Sequence, residues 1–255
     1  MKIAVLVKYI PNPAGVPELG EDHRVKREGV EGGIDPGDQY GVEAALQLAE
    51  ASGGEVTAIS MGPGPAMDAI RKALSLGAAK GILVTDEALP GADVLVTARV
   101  LAAAIRRESP DIVIAGVESQ DGSTGTLPVA VAELLELPSL TFARKVEVKD
   151  DGVRIERQTE TGYDVVECSL PALVTVTAGA NEPRYPTLKS IMQSKQKPVE
   201  TLSLSDLGLS AEDARSTQEV TGVEPAPMRQ GGEVLEDASA APARIVEILK
   251  EAKVI

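Results

Sequence analysis

Short apolar runs alternate along the chain with stretches that have the apolar spacing of a helix, and this alternation limits the possible folds more than any other feature. The first run, Lys2 to Val7, is nearly unbroken, as expected for a strand buried on both faces of a parallel sheet. Further strands are predicted at 55–60, 79–85 and 111–115, and helices at 67–76, 92–107 and 128–135. An earlier helix is predicted to begin at 35–38, with an aspartate as candidate N-cap. This alternation predicts an α/β fold with a doubly wound, mostly parallel sheet.

The loop after the strand at 111–115 is the best candidate for a ligand site. It runs from Gly116 to Pro128, is rich in glycine, serine and threonine, and leads into a helix. Backbone N–H groups and hydroxyls in such a loop can surround a phosphate, and the helix dipole favours the negative charge. Gly122 and Gly125 permit positive φ and a close approach to a ligand. The loop has neither a Walker lysine nor a GxGxxG motif, so a capping loop without a ligand is at least as good an interpretation of these residues alone.

A second distinctive stretch follows a β-rich apolar run, Leu170 to Val176. It begins with the sequence Asn-Glu-Pro-Arg-Tyr-Pro at 181–186. Its two prolines fix φ and disfavour helix at the residues before them, which predicts a stiff, exposed turn. Leu188, Ile191 and Met192 then recur at helical spacing within a short helix predicted at 187–194. On this spacing alone, the apolar ridge is expected to pack on its own domain.

The order of these elements resembles the electron transfer flavoprotein β subunit, in which LPAxVTV, NEPRYPxL, IM and a lysine-rich end follow one another. The resemblance implies an adenine-nucleotide-binding, Rossmann-like domain that holds AMP. The residues that it assigns to the nucleotide are Leu6, Asp35, Pro36, Gly37, Asp38, Met61, Gly116, Ser119, Asp121, Gly122, Ser123, Thr124 and Gly125. These residues follow predicted strands or begin helices, at the sheet edge where ligands bind in open α/β folds.

The loop at 116–125 is shorter than the GKQAIDxDxxQxG form of many family members. We expect AMP, because a shorter loop suits a larger cofactor less well. The alternative is a subunit of an electron-bifurcating flavoprotein, which would hold a second FAD here and use NADH. A third interpretation is a stand-alone nucleotide-binding sensor of the same α/β class.

The resemblance also implies partners. The redox FAD would be held mainly by the α subunit, electrons would come from acyl-CoA and related dehydrogenases, and they would leave through a quinone reductase toward the respiratory chain. In the family the position of Leu188 anchors the dehydrogenases, so docking replaces internal packing as the expected role of Tyr185, Leu188, Ile191 and Met192. The nucleotide-binding domain is assigned to residues 1–199. Residues 200–255 are assigned to an acidic arm that packs on the α subunit, and residues 157–164 either form a solvated hairpin or line a contact with that subunit.

Composition limits the chemistry of the chain itself. The single cysteine, Cys168, excludes an intramolecular disulfide and a cysteine-based metal cluster, and the single histidine, His23, excludes an imidazole-rich metal site. No nucleophile or paired acid and base is apparent, so we expect an electron carrier subunit with no catalytic residues. A net charge of −14 disfavours nucleic acids and anionic membrane surfaces. No apolar run approaches the length of a membrane span and Met1 leads directly into a strand, which predicts a cytoplasmic protein.

Overall fold

The computed structural model describes residues 1–11, 18–27, 29–224, 232–235 and 238–255. The strands are β1 (Lys2–Leu6), β2 (Tyr9–Pro11), β3 (Gly32–Ile34), β4 (Glu55–Met61), β5 (Lys80–Val84), β6 (Ile112–Gly116), β7 (Ser139–Lys149), β8 (Gly152–Gln158), β9 (Tyr163–Ser169), β10 (Ala172–Val176) and β11 (Val199–Leu202). The α-helices are α1 (Pro36–Ser52), α2 (Met67–Leu76), α3 (Val94–Glu108), α4 (Leu127–Leu134), α5 (Leu188–Ser194) and α6 (Ala241–Glu251).

A mostly parallel sheet organises the fold. Its strand order is β11-β5-β4-β1-β6-β10-β7-β8-β9, and all neighbours from β11 to β7 pair in parallel. Strands β8 and β9 continue the sheet in antiparallel pairing, while β2 and β3 form a separate two-stranded ribbon. The chain builds outward from β1 through β4 and β5 and then returns to place β6 on the other side of β1. The predicted doubly wound α/β fold is confirmed.

The central strands are buried on both faces, which explains their nearly unbroken apolar sequences. In β1, Ile3 and Val5 join a core cluster that includes residues of α1 and α2, whereas Ala4 and Leu6 join a second cluster that includes residues of α3 and α4. Because successive residues of a strand point to opposite faces, each central strand contributes to both clusters. Helices α1 and α2 therefore cover one face of the sheet, and α3 and α4 cover the other.

The predicted central strands and helices are confirmed with small shifts at their ends, and the predicted hairpin at 157–164 is the turn between β8 and β9. In that turn the N–H of Thr159 donates to the carbonyl of Gly162 at 3.0 Å. Strands β2, β7 and β11 were not predicted, and residues 9–11, which form β2, were expected in a loop. Strand β7 contains a bulge near Ala143 and has mostly exposed residues beyond it, so its apolar pattern is weak.

The contacts divide the chain into two compact units, Met1–Thr221 and Gly222–Ile255. The boundary predicted from the sequence lies after residue 199. In the structure the chain continues there as β11, which pairs with β5, and it remains in the first unit up to Thr221. Within the second unit, Arg244 of α6 pairs with Glu233 and Glu247. Across the described ranges, no helix combines the length and the apolar character that crossing a membrane requires.

Candidate functional site

The predicted nucleotide-binding segments meet at the carboxyl edge of the parallel sheet. Strand β1 lies between β4 and β6, with Leu6 opposite Ile59 and Val5 opposite Ile114. Met61 and Gly116 end β4 and β6 two residues beyond those partners. The chain reverses its direction of strand addition between β1 and β6, and crevices for ligands form at such a point. We call the residues around it the switch-point site: the end of β1 with Lys8, the first turn of α1, Met61, and the loop 116–126.

Asp35 connects the first turn of α1 to that loop. Asp35 is the N-cap of α1 and accepts a hydrogen bond from the backbone N–H of Gly37 at 2.8 Å. Its other carboxylate oxygen accepts from the backbone N–H of Gln120 at 2.7 Å. The Asp35 residue is fully buried, so both oxygens are satisfied within the protein. Pro36 begins the helix at a position where no N–H is needed.

Asp38 lies behind the site and is almost completely buried. It accepts a hydrogen bond from the backbone N–H of Lys8 at 2.7 Å. Burial, with a contribution from the nearby Asp35 charge, raises the pKa of Asp38 to about 8, although hydrogen bonds from the backbone N–H groups of Lys8 and Gly116 oppose the rise. A Cβ on Gly116 would lie 2.8 Å from Asp38 Oδ1. Glycine at this position therefore allows β6 to end directly against α1.

Lys8 connects the end of β1 to the loop from the other side. Its Nζ donates to Ser119 Oγ at 3.0 Å and to Asp121 Oδ1 at 2.6 Å. The other oxygen of Asp121 pairs with Arg27, and the Asp121 side chain is only 1% exposed. Burial raises the pKa of Asp121, but the charges and hydrogen bonds of Lys8 and Arg27 outweigh it and hold the pKa below its ordinary value.

The rest of the loop is open to solvent and rich in donor groups. Gly122, Ser123 and Thr124 are exposed. Ser123 and Gly125 have positive φ angles of 44° and 61°. Positive φ angles can turn neighbouring backbone N–H groups toward one anion, which extended chain does not do. Thr126, the N-cap of α4, makes no side-chain capping hydrogen bond. The first turn of α4 therefore presents N–H groups at the end of the loop.

These groups have the chemistry of a phosphate-binding loop. The loop itself contributes hydroxyls and exposed backbone N–H groups, and the positive end of the α4 dipole follows it. The Lys8 ammonium lies beside Gly122. The neighbouring carboxylates of Asp35 and Asp121 are already paired with N–H groups or cations, so neither is left uncompensated beside an anion. The arrangement offers a phosphate hydrogen-bond donors from backbone N–H groups and hydroxyls, while the Lys8 and Arg27 charges are paired with Asp121. Among the described residues no group of three or more possible metal ligands occurs.

The structure brings the predicted nucleotide residues together at one edge of the sheet, but the side chain of Leu6 does not face that edge. Leu6 packs its side chain in the core and is 7% exposed, so its backbone is the part that faces the edge. Lys8, Arg27 and Gln120 were not predicted. Lys8 directly follows a predicted strand at the ligand edge, and this position is the sequence signal that points to it.

The predicted docking residues form a separate exposed ridge. The exposed fractions are 91% for Tyr185, 83% for Leu188, 41% for Ile191 and 71% for Met192. We call these four residues the docking ridge. Thr187 begins α5 with a capping box, in which Thr187 and Ser190 exchange side-chain and backbone hydrogen bonds of 2.9 and 3.1 Å. The alternative that the ridge packs on its own domain is therefore wrong for Leu188 and Met192, which face solvent.

Comparisons with known proteins agree with the resemblance seen in the sequence. The electron transfer flavoprotein domain model matches residues 22–207. Electron transfer flavoprotein subunit beta of Mycobacterium tuberculosis is 37% identical over 263 residues, covering 99% of both chains. The same subunit of Thermoanaerobacterium thermosaccharolyticum is 40% identical over 208 residues, covering 81% of this chain and 80% of that one, and that of Bacillus subtilis is 34% identical over 238 residues, covering 92% and 93%. The chain belongs to the electron transfer flavoprotein family, as a β subunit.

Proposed function

We propose that this β subunit binds AMP in the switch-point site and completes an electron carrier whose redox FAD is held mainly by an α subunit. The observation that carries the AMP assignment is the meeting of β1, β4, β6 and the start of α1 around the loop 116–126. The loop N–H groups, the hydroxyls of Ser119, Ser123 and Thr124, and the first turn of α4 would hold the phosphate. AMP has no redox chemistry of its own, so its role here is structural, and it would fix the loop against α1.

The chain also supplies the surface on which electron donors dock. The docking ridge consists of aromatic, aliphatic and thioether side chains, and large apolar groups this exposed mark interaction surfaces. A hydrophobic pocket on a dehydrogenase would take up Leu188, the most exposed aliphatic side chain of the ridge. We propose acyl-CoA and related dehydrogenases as donors and a quinone reductase of the respiratory chain as the acceptor.

The second unit offers a surface for the α subunit. Its helix α6 exposes Ile245, Val246 and Ile248 by 40% to 50% each. Apolar side chains on a helix usually face a partner or a core. We propose that Gly222–Ile255, which lies within the arm predicted from the sequence at 200–255, binds the α subunit.

The identity of the bound nucleotides tests the AMP proposal. The chain is purified together with its α subunit, the complex is denatured, and every released nucleotide is identified and quantified by mass spectrometry. We expect one FAD and one AMP per heterodimer, and loss of AMP alone when Gly125→Val distorts the loop. Two FAD and no AMP would contradict the proposal and indicate an electron-bifurcating flavoprotein. Absence of any nucleotide besides the α-subunit FAD would assign the loop a capping role only.

A further inference from the structure

The segment that leads into the docking ridge is tied to α1 by two side chains. Arg184 donates from Nε to Glu43 Oε2 at 2.8 Å and from Nη2 to Glu43 Oε1 at 3.0 Å, while its Nη1 reaches Glu50 Oε1 at 2.5 Å. Asn181 donates from Nδ2 to the carbonyl of Tyr40 at 2.9 Å. Arg184 thus uses its planar fork on two carboxylates of one helix, at positions 43 and 50, two turns apart.

The other end of the ridge is tied to α2. Arg71 donates from Nη1 to the carbonyl of Ser194 at 2.6 Å and to that of Lys197 at 3.1 Å. Lys197 in turn donates from Nζ to the carbonyls of Leu74 and Ala78, at 2.9 and 2.6 Å. These carbonyls lie at the C-terminal end of α2, where cations are favoured. The ridge is therefore held at both ends by polar contacts.

Between these two attachments the ridge has little burial of its own. Tyr185, Leu188 and Met192 are at least 71% exposed, and α5 has only seven residues. A helix this short is not stable alone in water. The position of the ridge therefore comes from the packing of α5 against α2, where Ser194 is buried, together with the polar contacts at its ends, the prolines and the capping box.

We propose that Arg184 is a positioning residue for electron transfer, which holds the docking ridge in the orientation that a donor dehydrogenase binds. This inference rests on the proposed docking function of the ridge. Glu43 is the main partner because its side chain is 6% exposed, compared with 61% for Glu50. Of the two pairs, the one with Glu43 is the better shielded from water, although Arg184 itself is 33% exposed.

Loss of the Arg184 contacts should affect binding of the dehydrogenase more than the electron-transfer step itself. A ridge that is already ordered loses less conformational freedom when the partner docks. Loosening it should weaken formation of the encounter complex, while the flavin and the transfer step within the docked complex stay the same. Arg184 variants should therefore raise the KM of the dehydrogenase for the heterodimer and leave kcat nearly unchanged.

The test uses the purified heterodimer and an acyl-CoA dehydrogenase that is reduced by its acyl-CoA substrate. The rate of electron transfer is measured over a range of heterodimer concentrations. Leu188→Ala comes first, and we expect it to raise KM about tenfold, as for an anchor residue in a docking surface. Arg184→Lys keeps the charge but loses the two-pronged geometry, and we expect about a fivefold rise in KM. Glu43→Gln should act in the same direction. Arg144→Lys is the matched control, since the Arg144 guanidinium also pairs with a glutamate, Glu156, but between β7 and β8.

A double variant separates positioning from general weakening of the fold. If Arg184 acts through the ridge, Leu188→Ala combined with Arg184→Lys should have a KM close to that of Leu188→Ala alone. Thermal unfolding of each heterodimer identifies a variant that does not fold, in which case Glu43→Gln decides the question. An unchanged KM for Leu188→Ala overturns docking and this inference together. A raised KM for Leu188→Ala with a normal KM for Arg184→Lys and Glu43→Gln overturns the inference alone.

Discussion

The backbone N–H of Gln120 donates to Asp35 Oδ2 at 2.7 Å, across 85 residues of sequence, so the N-cap of α1 also holds the loop that follows β6. One carboxylate therefore satisfies a helix end with one oxygen and fixes a proposed phosphate-binding loop with the other. This double use makes Asp35 the residue whose removal should most directly connect stability to nucleotide binding.

Asp35→Ala should lower both the stability of the chain and its affinity for AMP. Loss of the N-cap and of the bond to Gln120 should cost about 1–2 kcal/mol in the free energy of unfolding, measured by urea titration. AMP affinity is measured by calorimetry on the nucleotide-stripped heterodimer. Asp93→Ala is the control, because Asp93 caps α3 through the N–H of Val96 at 2.9 Å without touching the loop. A similar loss of AMP affinity in both variants would contradict the specific role of Asp35.

Asp38 should make stability fall as the pH rises through the neutral range. Its pKa is raised to about 8 in the folded protein, compared with 3.8 ordinarily. The folded state therefore retains the proton over a window where the unfolded chain has lost it, and the stabilisation present below pH 4 is lost progressively up to about pH 8. Asp38→Asn has no such titration. Unfolding free energies measured by urea from pH 5 to 9 should show the variant gaining on the wild type up to about pH 8 and not beyond, whereas parallel curves would mean that Asp38 ionises normally.

Strands buried on both faces and helices with a regular apolar spacing could be predicted from the sequence, whereas short or irregular strands could not. Helix α2 begins and ends at the predicted residues, Met67 and Leu76, because its apolar spacing is regular. Strand β7 escaped prediction because a bulge interrupts its alternation, and Phe142 there has a φ angle of 58°. Strand β11 has four residues and only Leu202 is buried, so its sequence has no period to detect.

The candidate site was predictable in its segments but not in its pairings. Asp35 as an N-cap and the loop at 116–125 follow from local patterns of residue type. The contact between Lys8 and Asp121 joins residues 113 apart, and that between Glu43 and Arg184 joins residues 141 apart. Such pairings depend on the order of strands in the sheet, and the order is set by tertiary packing instead of by any local pattern.

Deletion of residues 222–255 should abolish assembly with the α subunit and leave the first unit folded. The chain divides into compact units at that point, and the sheet with its covering helices lies within Met1–Thr221. Circular dichroism should show cooperative thermal unfolding of the shortened chain, and size-exclusion chromatography after co-expression should show no heterodimer. Recovery of a stable heterodimer from the shortened chain would place the main contact with the α subunit on the first unit.

Asp121→Asn should destabilise the chain at neutral pH, and the effect should disappear in acid. The Asp121 carboxylate is buried against Lys8 and Arg27, and despite its burial its pKa is lowered from 3.8. A lowered pKa in the folded state means stabilisation that is present above the ordinary pKa and lost as the pH falls through the folded value. Leaving two cations without their partner should cost about 1–3 kcal/mol at pH 7, discounted because Lys8 is 37% exposed. Urea unfolding at pH 7 and at successively lower pH follows the loss of this contribution. Lys8→Met should add little to Asp121→Asn in a double variant, since both remove the same contact. A constant difference at all pH values would show that the carboxylate contributes by packing and not by its charge.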